Sequence, residues 1–271
     1  MKSLKEQFLK HEIYFDEYIT GNRFIDICDQ TKARFCKIDY IGELIGSSID
    51  LLITHNGDNP VNEQRYNLLQ KNVSKWLGQN KLIDSNLVEG IPIGLENMIL
   101  RVSSESRLGL HSSQISNAIA KARYIDKKAK EKIDHDKLIY LNINPKTQYN
   151  ERQHIIDLFK DQQWTTHEQK VSWKQYYDSI ARHKFVFSPR GNGVDCHRTW
   201  EALYLRTIPV VRASITMNEF KDLPILFVNN WEEISYDFLE KKYEEMINKD
   251  YDLSKLKISY WKNRIKEYFN E

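Results

Sequence analysis

Short apolar runs take turns with longer amphipathic stretches along this chain, and the alternation is most regular after residue 136. There the pattern predicts strand 137–143, helix 149–160, a short strand at 164–166, helix 172–182, strand 184–188, helix 197–205, and strands 208–212 and 225–228. Such a βαβ series closes into a parallel sheet. Its right-handed crossovers put every loop that follows a strand on one edge, where ligands of doubly wound folds bind. The fold class is therefore α/β.

The first half carries the same signal less cleanly. Strands are expected at 24–27, 35–38 and 50–53, a helix at 62–69, strand-like pieces at 73–77 and 87–92, and a helix at 112–124. The lysine-rich stretch 121–137 reads as a solvated helix end or linker. A boundary near residue 130 divides the chain into an N-terminal unit, 1–130, and a C-terminal unit, 131–271. The last two amphipathic stretches, 236–248 and 253–269, read as helices that brace the pair.

Composition excludes several classes. The 40 Lys and Arg nearly balance the 38 Asp and Glu, and 41% of residues are hydrophobic, which argues against a disordered chain, an acidic tail and a basic nucleic-acid binder. Three cysteines without CxxC spacing support neither a disulfide scaffold nor a zinc site. The opening stretch has acidic residues where a signal peptide needs its apolar centre, and no run approaches the roughly 18 apolar residues of a membrane span. The expected location is cytoplasmic, with no nucleic-acid partner and with peripheral membrane contact left open.

The segment richest in chemistry is 185–203, FVFSPRGNGVDCHRTWEAL, a buried strand that runs into a two-glycine loop and then a helix. Glycines there let backbone N–H groups and a helix start face an anion. Arg190 and Arg198 bracket the loop, and guanidinium groups bind a diphosphate bidentately. His197, Arg198 and Glu201 are spaced to share one helical face, from which Glu201 can accept hydrogen bonds from ribose hydroxyls. Plainer roles exist for each residue: Asp195 as helix N-cap, Gly191-Asn192-Gly193 as an ordinary turn, and Arg198 with Glu201 as an exposed pair. Taken together at the carboxyl edge of a parallel strand, they favour phosphate or nucleotide binding. GxGxxG and Walker A patterns are absent.

The run SPRGNGVDCHRTWEALYLRTIPVV at 188–211 resembles the nucleotide-sugar motif of exostosin-type glycosyltransferases, and ITHNGDNPV at 53–61 and IPIGLEN at 91–97 look like motifs of their small bacterial and viral relatives. The layout is also similar, more loosely, to the donor site of α1,3-fucosyltransferases. The resemblance implies a GT-B fold: two Rossmann-like domains facing across a cleft, with the donor on the C-terminal domain and the acceptor mainly on the N-terminal one. It implies that Arg190 and Arg198 hold the diphosphate, that Ser188 and Gly191, Asn192 and Gly193 wrap it, and that Glu201 contacts the ribose. Retaining GT-B enzymes often place Glu eight residues before the equivalent of Glu201. This chain has Gly193 there, so inversion is expected. A second departure is Arg206, where relatives commonly have Gly.

Inverting transfer needs a base for the acceptor hydroxyl and positive charge for the departing diphosphate. The base candidates are Asp58 and His55, with Glu96 behind them, and Arg152 is a further candidate for the phosphates. Asp134-His135-Asp136 and Asp250-Tyr251-Asp252 have the Asp-x-Asp form of a metal-binding pair but sit in charged surroundings, so no metal or other cofactor is expected. The expected partners are a nucleoside-diphosphate sugar, with a UDP-sugar favoured, and a carbohydrate acceptor in surface polysaccharide or glycoprotein glycan synthesis. A GDP-fucose-type fucosyltransferase and a non-catalytic nucleotide- or glycan-binding module are the alternatives.

Overall fold

The structure, a computed structural model, describes residues 4–98 and 115–269. Its first sheet contains β1 (Arg34–Lys37), β2 (Ile49–His55), β3 (Val73–Gly78) and β4 (Val88–Gly90), all parallel and in that order. Helix α1 (Leu4–Lys10) and α2 (Gly21–Cys28) precede it, and α3 (Glu63–Leu69) joins β2 to β3 with Asn62 capping it through the Arg65 N–H. Alternate residues of β2 serve opposite faces. Leu52 packs with Trp76, Ile38, Ile41 and Leu69 on one side, whereas Leu51 and Ile53 turn to a larger core on the other.

After α4 (Ile115–Lys130) comes the second sheet, built from β5 (Lys137–Leu141), β6 (Thr165–His167), β7 (His183–Phe187), β8 (Ile208–Arg212) and β9 (Leu226–Val228). It is also wholly parallel, in the order β6-β5-β7-β8-β9. Between its strands run α5 (Tyr149–Phe159), α6 (Trp173–Arg182), α7 (His197–Tyr204) and α8 (Ile215–Asn218), and α9 (Tyr236–Ile247) and α10 (Ile258–Tyr268) follow. The chain leaves β5 toward β6 and then returns to the other side through β7. That reversal creates a crevice outside the carboxyl ends of β5 and β7, the usual binding place of such sheets.

One hydrophobic cluster continues from the inner face of the first sheet to the second, through Tyr18, Phe24, Ile53, Leu77, Trp200, Tyr204 and Trp261. Helix α4 packs on α6 and α7, and α10 returns to the first sheet, where Arg264 pairs with Glu89 at 3.0 Å and the Tyr268 hydroxyl donates to the Asp50 carbonyl. The Tyr204 hydroxyl accepts from the Ile19 N–H and donates to the Leu256 carbonyl, tying α7 to two distant segments.

One expectation from the sequence is corrected and another is narrowed. Residues 24–27 are helical, part of α2, because Phe24, Ile25, Ile27 and Cys28 are buried at the i, i+1, i+3, i+4 spacing of a helix face. Of the two readings of 121–137, helix end or linker, the helix holds to Lys130, since Ala118, Ala122, Ile125 and Ala129 form a buried stripe whose small side chains leave little hydrophobic signal. The expected helix start at 112–114 lies outside the described residues. Helices α1 and α8 had no counterpart in the sequence reading.

Candidate functional site

Loops from the carboxyl ends of both sheets meet. Those of the first sheet turn sharply: Asn56 and Asn80 have φ of +60° and +56°, and Gly94 has φ of +66°. A side chain at Gly94 would stand 2.2 Å from the Ile19 carbonyl oxygen, so only glycine fits. Against these turns lies the loop after β7. Asn192 donates to Asp58 at 3.2 Å, the Asp195 N–H donates to the Asn80 side chain at 2.8 Å, and His197 Nδ1–H donates to the Gly94 carbonyl at 2.7 Å. Lys81 and Glu219 pair at 2.5 Å between the loop after β3 and the end of α8.

Asp195 is the centre of this seam. It is 2% exposed, and its two carboxylate oxygens accept from the Ile93 N–H at 2.7 Å and the Trp200 indole N–H at 2.8 Å. Burial pushes its pKa up to about 7, against the opposing pull of those hydrogen bonds and of His197. The N-cap of α7 is Cys196, whose side chain does not cap the helix, and Asp195 braces two halves of the chain instead of serving as that cap.

A cavity of about 470 Å³ opens at the carboxyl edge of the first sheet and is lined by His55, Asp58, Glu96, Asn97 and, from α7, His197. All three base candidates therefore face one space. They differ in what they are free to do. His55 is 2% exposed; its Nε2–H donates to the Pro92 carbonyl at 3.0 Å, and its Nδ1 accepts from the Asn56 N–H at 2.8 Å. Burial pulls its pKa down to about 4, so the ring is neutral at pH 7 with both nitrogens engaged. Glu96 is committed to Lys121 at 2.9 Å. Asp58 is exposed and, among the described residues, only Asn192 holds its carboxylate, at one oxygen.

On the other side of the β7 loop, Ser188, Arg190, Val194 and Thr199 line a second cavity of about 460 Å³. Ser188 is buried and shares a hydrogen bond with the Thr199 hydroxyl at 2.9 Å; among the described residues, the Arg190 side chain reaches only the Asn192 carbonyl, and its buried Nε has no partner there. Arg152, 7% exposed, donates to the Arg190 carbonyl at 2.8 Å and the Asn144 carbonyl at 2.9 Å, so it ties the loops after β5 and β7 across the crevice. Its pKa is lowered by burial first and by the nearby charge of Arg198 second. The two guanidiniums thus lie near enough for the charge of Arg198 to act on Arg152. A side chain at Gly191 would press on Arg152 at 3.1 Å.

Arg198 Nε donates to the Tyr176 oxygen at 3.2 Å, and Tyr176 in turn donates to Glu201 at 3.2 Å, while Tyr177 donates to the other oxygen of Glu201 at 2.7 Å. Burial pushes both phenols up, which keeps them protonated donors. Arg198 and Glu201 are therefore not an exposed ion pair but two ends of a relay through Tyr176. His197 does not share their face; it turns to the first half of the chain. Gly193 packs on Asn80, where an added Cβ would lie 2.7 Å from Nδ2, so no glutamate fits there without moving the seam.

The sequence reading missed Asn80, Tyr176 and Tyr177, gave Asp195 the role of an N-cap where it is a brace, and placed His197 with Arg198 and Glu201 where it turns to Gly94. Local spacing could have found the tyrosines, which open α6 on its amphipathic face; nothing local marks the rest. Among the described residues, no group of three or more His, Cys, Asp or Glu side chains is arranged to hold a metal ion, and no helix is long and apolar enough to cross a membrane.

No curated protein matches the chain. A chain in the crystal structure of the GtfA/B complex superposes with a TM-score of 0.39 at 14% identity, covering 92% of this chain and 60% of that one, so the present chain spans less than two thirds of its length. Residues 141–271, just under half of the chain, match the family described as the RXYLT1 C-terminal domain. Over that span, which includes the crevice at β5 and β7 and all of α7, the chain is similar to a xylosyltransferase-like glycosyltransferase family.

Proposed function

We propose that this chain is an inverting, metal-independent glycosyltransferase of GT-B arrangement, which moves a sugar from a nucleoside-diphosphate donor to a glycan acceptor. The observation that carries the reading is the pair Arg152 and Arg198 at the crevice beside β7, where the charge of Arg198 lowers the pKa of Arg152, one loop away from the cavity that holds Asp58. A diphosphate bound there offsets the repulsion between the two guanidiniums. The uncapped first turn of α7 adds N–H groups to the same anion, and Glu201 accepts from the ribose hydroxyls.

In this reading the acceptor hydroxyl attacks the anomeric carbon from the side of the 470 Å³ cavity. Its oxygen forms the new glycosidic bond as the bond to the diphosphate breaks, the proton passes to Asp58, and the arginines take up the charge of the leaving group. His55 is a positioning residue: its two hydrogen bonds fix the turn that presents Asp58. The lack of room for a glutamate at Gly193 supports direct displacement over a covalent or retaining route. A UDP-sugar is the favoured donor, the similarity to a xylosyltransferase-like family puts pentoses beside hexoses as the transferred sugar, and synthesis of surface polysaccharide or glycoprotein glycan is the expected setting.

The test is a thermal-shift screen with UDP, GDP, CMP and TDP, followed by hydrolysis and transfer assays on the sugar of the nucleotide that binds. UDP is expected to raise the melting temperature, and Asp58→Asn to keep that shift while transfer falls by about 10²–10⁴. A shift with GDP alone selects the fucosyltransferase reading. Binding without turnover selects the binding module, and no shift with any nucleotide overturns the donor site.

A further inference from the structure

Arg206 lies between α7 and β8, on the amino-terminal edge of the second sheet, opposite the loops of the candidate site. Two features make it costly there. Its φ is +66°, in the left-handed region where a residue with a Cβ is strained. It is also only 7% exposed, and among the described residues no side chain or carbonyl accepts a hydrogen bond or ion pair from its guanidinium, which opens onto a cavity instead. The ionisable neighbours that act on it are two phenols, Tyr18 and Tyr14, and no carboxylate; burial lowers its pKa. A glycine would remove both costs, so the arginine needs a reason that the folded chain alone does not supply.

Arg206 lines a cavity of about 300 Å³ whose walls include the apolar side chains of Leu4, Ala129, Ile133, Leu205 and Ile247. The other strong cation in the wall, Lys128, is already paired with Glu131 and with Asp178 at 2.9 Å each. We propose that this cavity binds a small organic carboxylate with an apolar body, and that Arg206 is its counter-charge. The size is at the small end for a ligand site. One uncommitted guanidinium matches a single planar carboxylate, which it can bind with two parallel hydrogen bonds. A phosphate dianion fits less well, because Glu131 and Asp134 also line the space. The site is separate from the transferase cleft and stands whether or not that reading holds.

The experiment measures melting temperature with benzoate, hexanoate, phenyl phosphate and the uncharged benzyl alcohol, on the wild type and on Arg206→Gly. Benzoate or hexanoate at roughly ten times its Kd is expected to raise the wild-type midpoint by about 3–5 °C, with no response to benzyl alcohol. Arg206→Gly is expected to melt higher than the wild type without ligand and to ignore both carboxylates. Ile133→Trp, which fills the cavity and leaves Arg206 in place, is expected to lose the response too. The proposal is overturned by a carboxylate shift that persists in either variant, by no shift in the wild type, by a larger shift with phenyl phosphate than with the carboxylates, or by an Arg206→Gly protein less stable than the wild type.

Discussion

Replacing Asp195 with alanine removes the carboxylate at the seam and leaves two buried donors, the Ile93 N–H and the Trp200 indole N–H, without partners. An orphaned buried donor costs about 1–3 kcal/mol, so the variant is expected to lose roughly 2–6 kcal/mol, a large part of the 5–15 kcal/mol that ordinarily holds a domain folded. Asp195→Asn keeps one acceptor oxygen but turns an NH2 toward the second donor, and is expected to fall between the two. The pH dependence is a sharper arm. The folded protein holds the Asp195 proton up to about pH 7, whereas the ordinary value is 3.8. Between those limits the folded state binds the extra proton, so this group makes the protein less stable as pH rises from about 4 to 7, by up to about 4 kcal/mol, and has no further effect above. Urea unfolding followed by tryptophan fluorescence, at pH steps across that window, gives the midpoint for wild type and Asp195→Asn. The difference between the two curves is expected to slope across the window and flatten above pH 7. A midpoint for Asp195→Ala within experimental error of wild type, or parallel pH curves, would refute the brace.

Gly94→Ala puts a Cβ on the Ile19 carbonyl oxygen at a left-handed backbone position, and thermal unfolding is expected to show a loss above about 2 kcal/mol. Arg198→Ala is expected to weaken UDP binding by roughly 10- to 100-fold by calorimetry, and Tyr176→Phe, which frees Arg198 from its relay, by less. His55 and His183 are both buried, with pKa values lowered to about 4, so each costs stability as pH falls from about 6.5 to 4, when the unfolded chain takes up protons that the folded one refuses. His183→Gln is expected to reduce that acid slope in chemical unfolding, and an unchanged slope would show that His183 titrates freely.

The central strands of the second sheet were readable because they are buried on both faces and therefore run as apolar segments, such as Phe185, Val186 and Phe187. The short elements were harder. Over four residues Phe24 to Ile27 fits a strand or a helix, and only the burial of Cys28 one turn on decides it. The loops at 53–61, 91–97 and 188–196 were also legible, since turn residues and charges cluster there. What no local pattern encodes is which loop meets which: Asp195 and Ile93 are 102 positions apart, and Asn192 and Asp58 are 134 apart. His55 shows the limit for chemistry. Its residue type suggested a base, but the carbonyl of Pro92, brought close only by folding, occupies one nitrogen and the Asn56 N–H the other.

Helix α10 has a consequence for how the protein is made. It covers the inner face of the first sheet, with Arg264 and Tyr268 beside Leu51 and Leu77 and with Trp261 edge-on to Phe24 of α2 at 6.3 Å. The sheet it covers is complete at Gly90, while α10 begins at Ile258. At ordinary rates of synthesis the ribosome needs roughly 10–30 s to cross that interval. Throughout it, the nascent chain carries an apolar sheet face that lacks its closing helix, so the growing protein is most exposed to aggregation and to chaperone capture after its first sheet is finished. Loss of the final turns of α10 would make that transient exposure permanent.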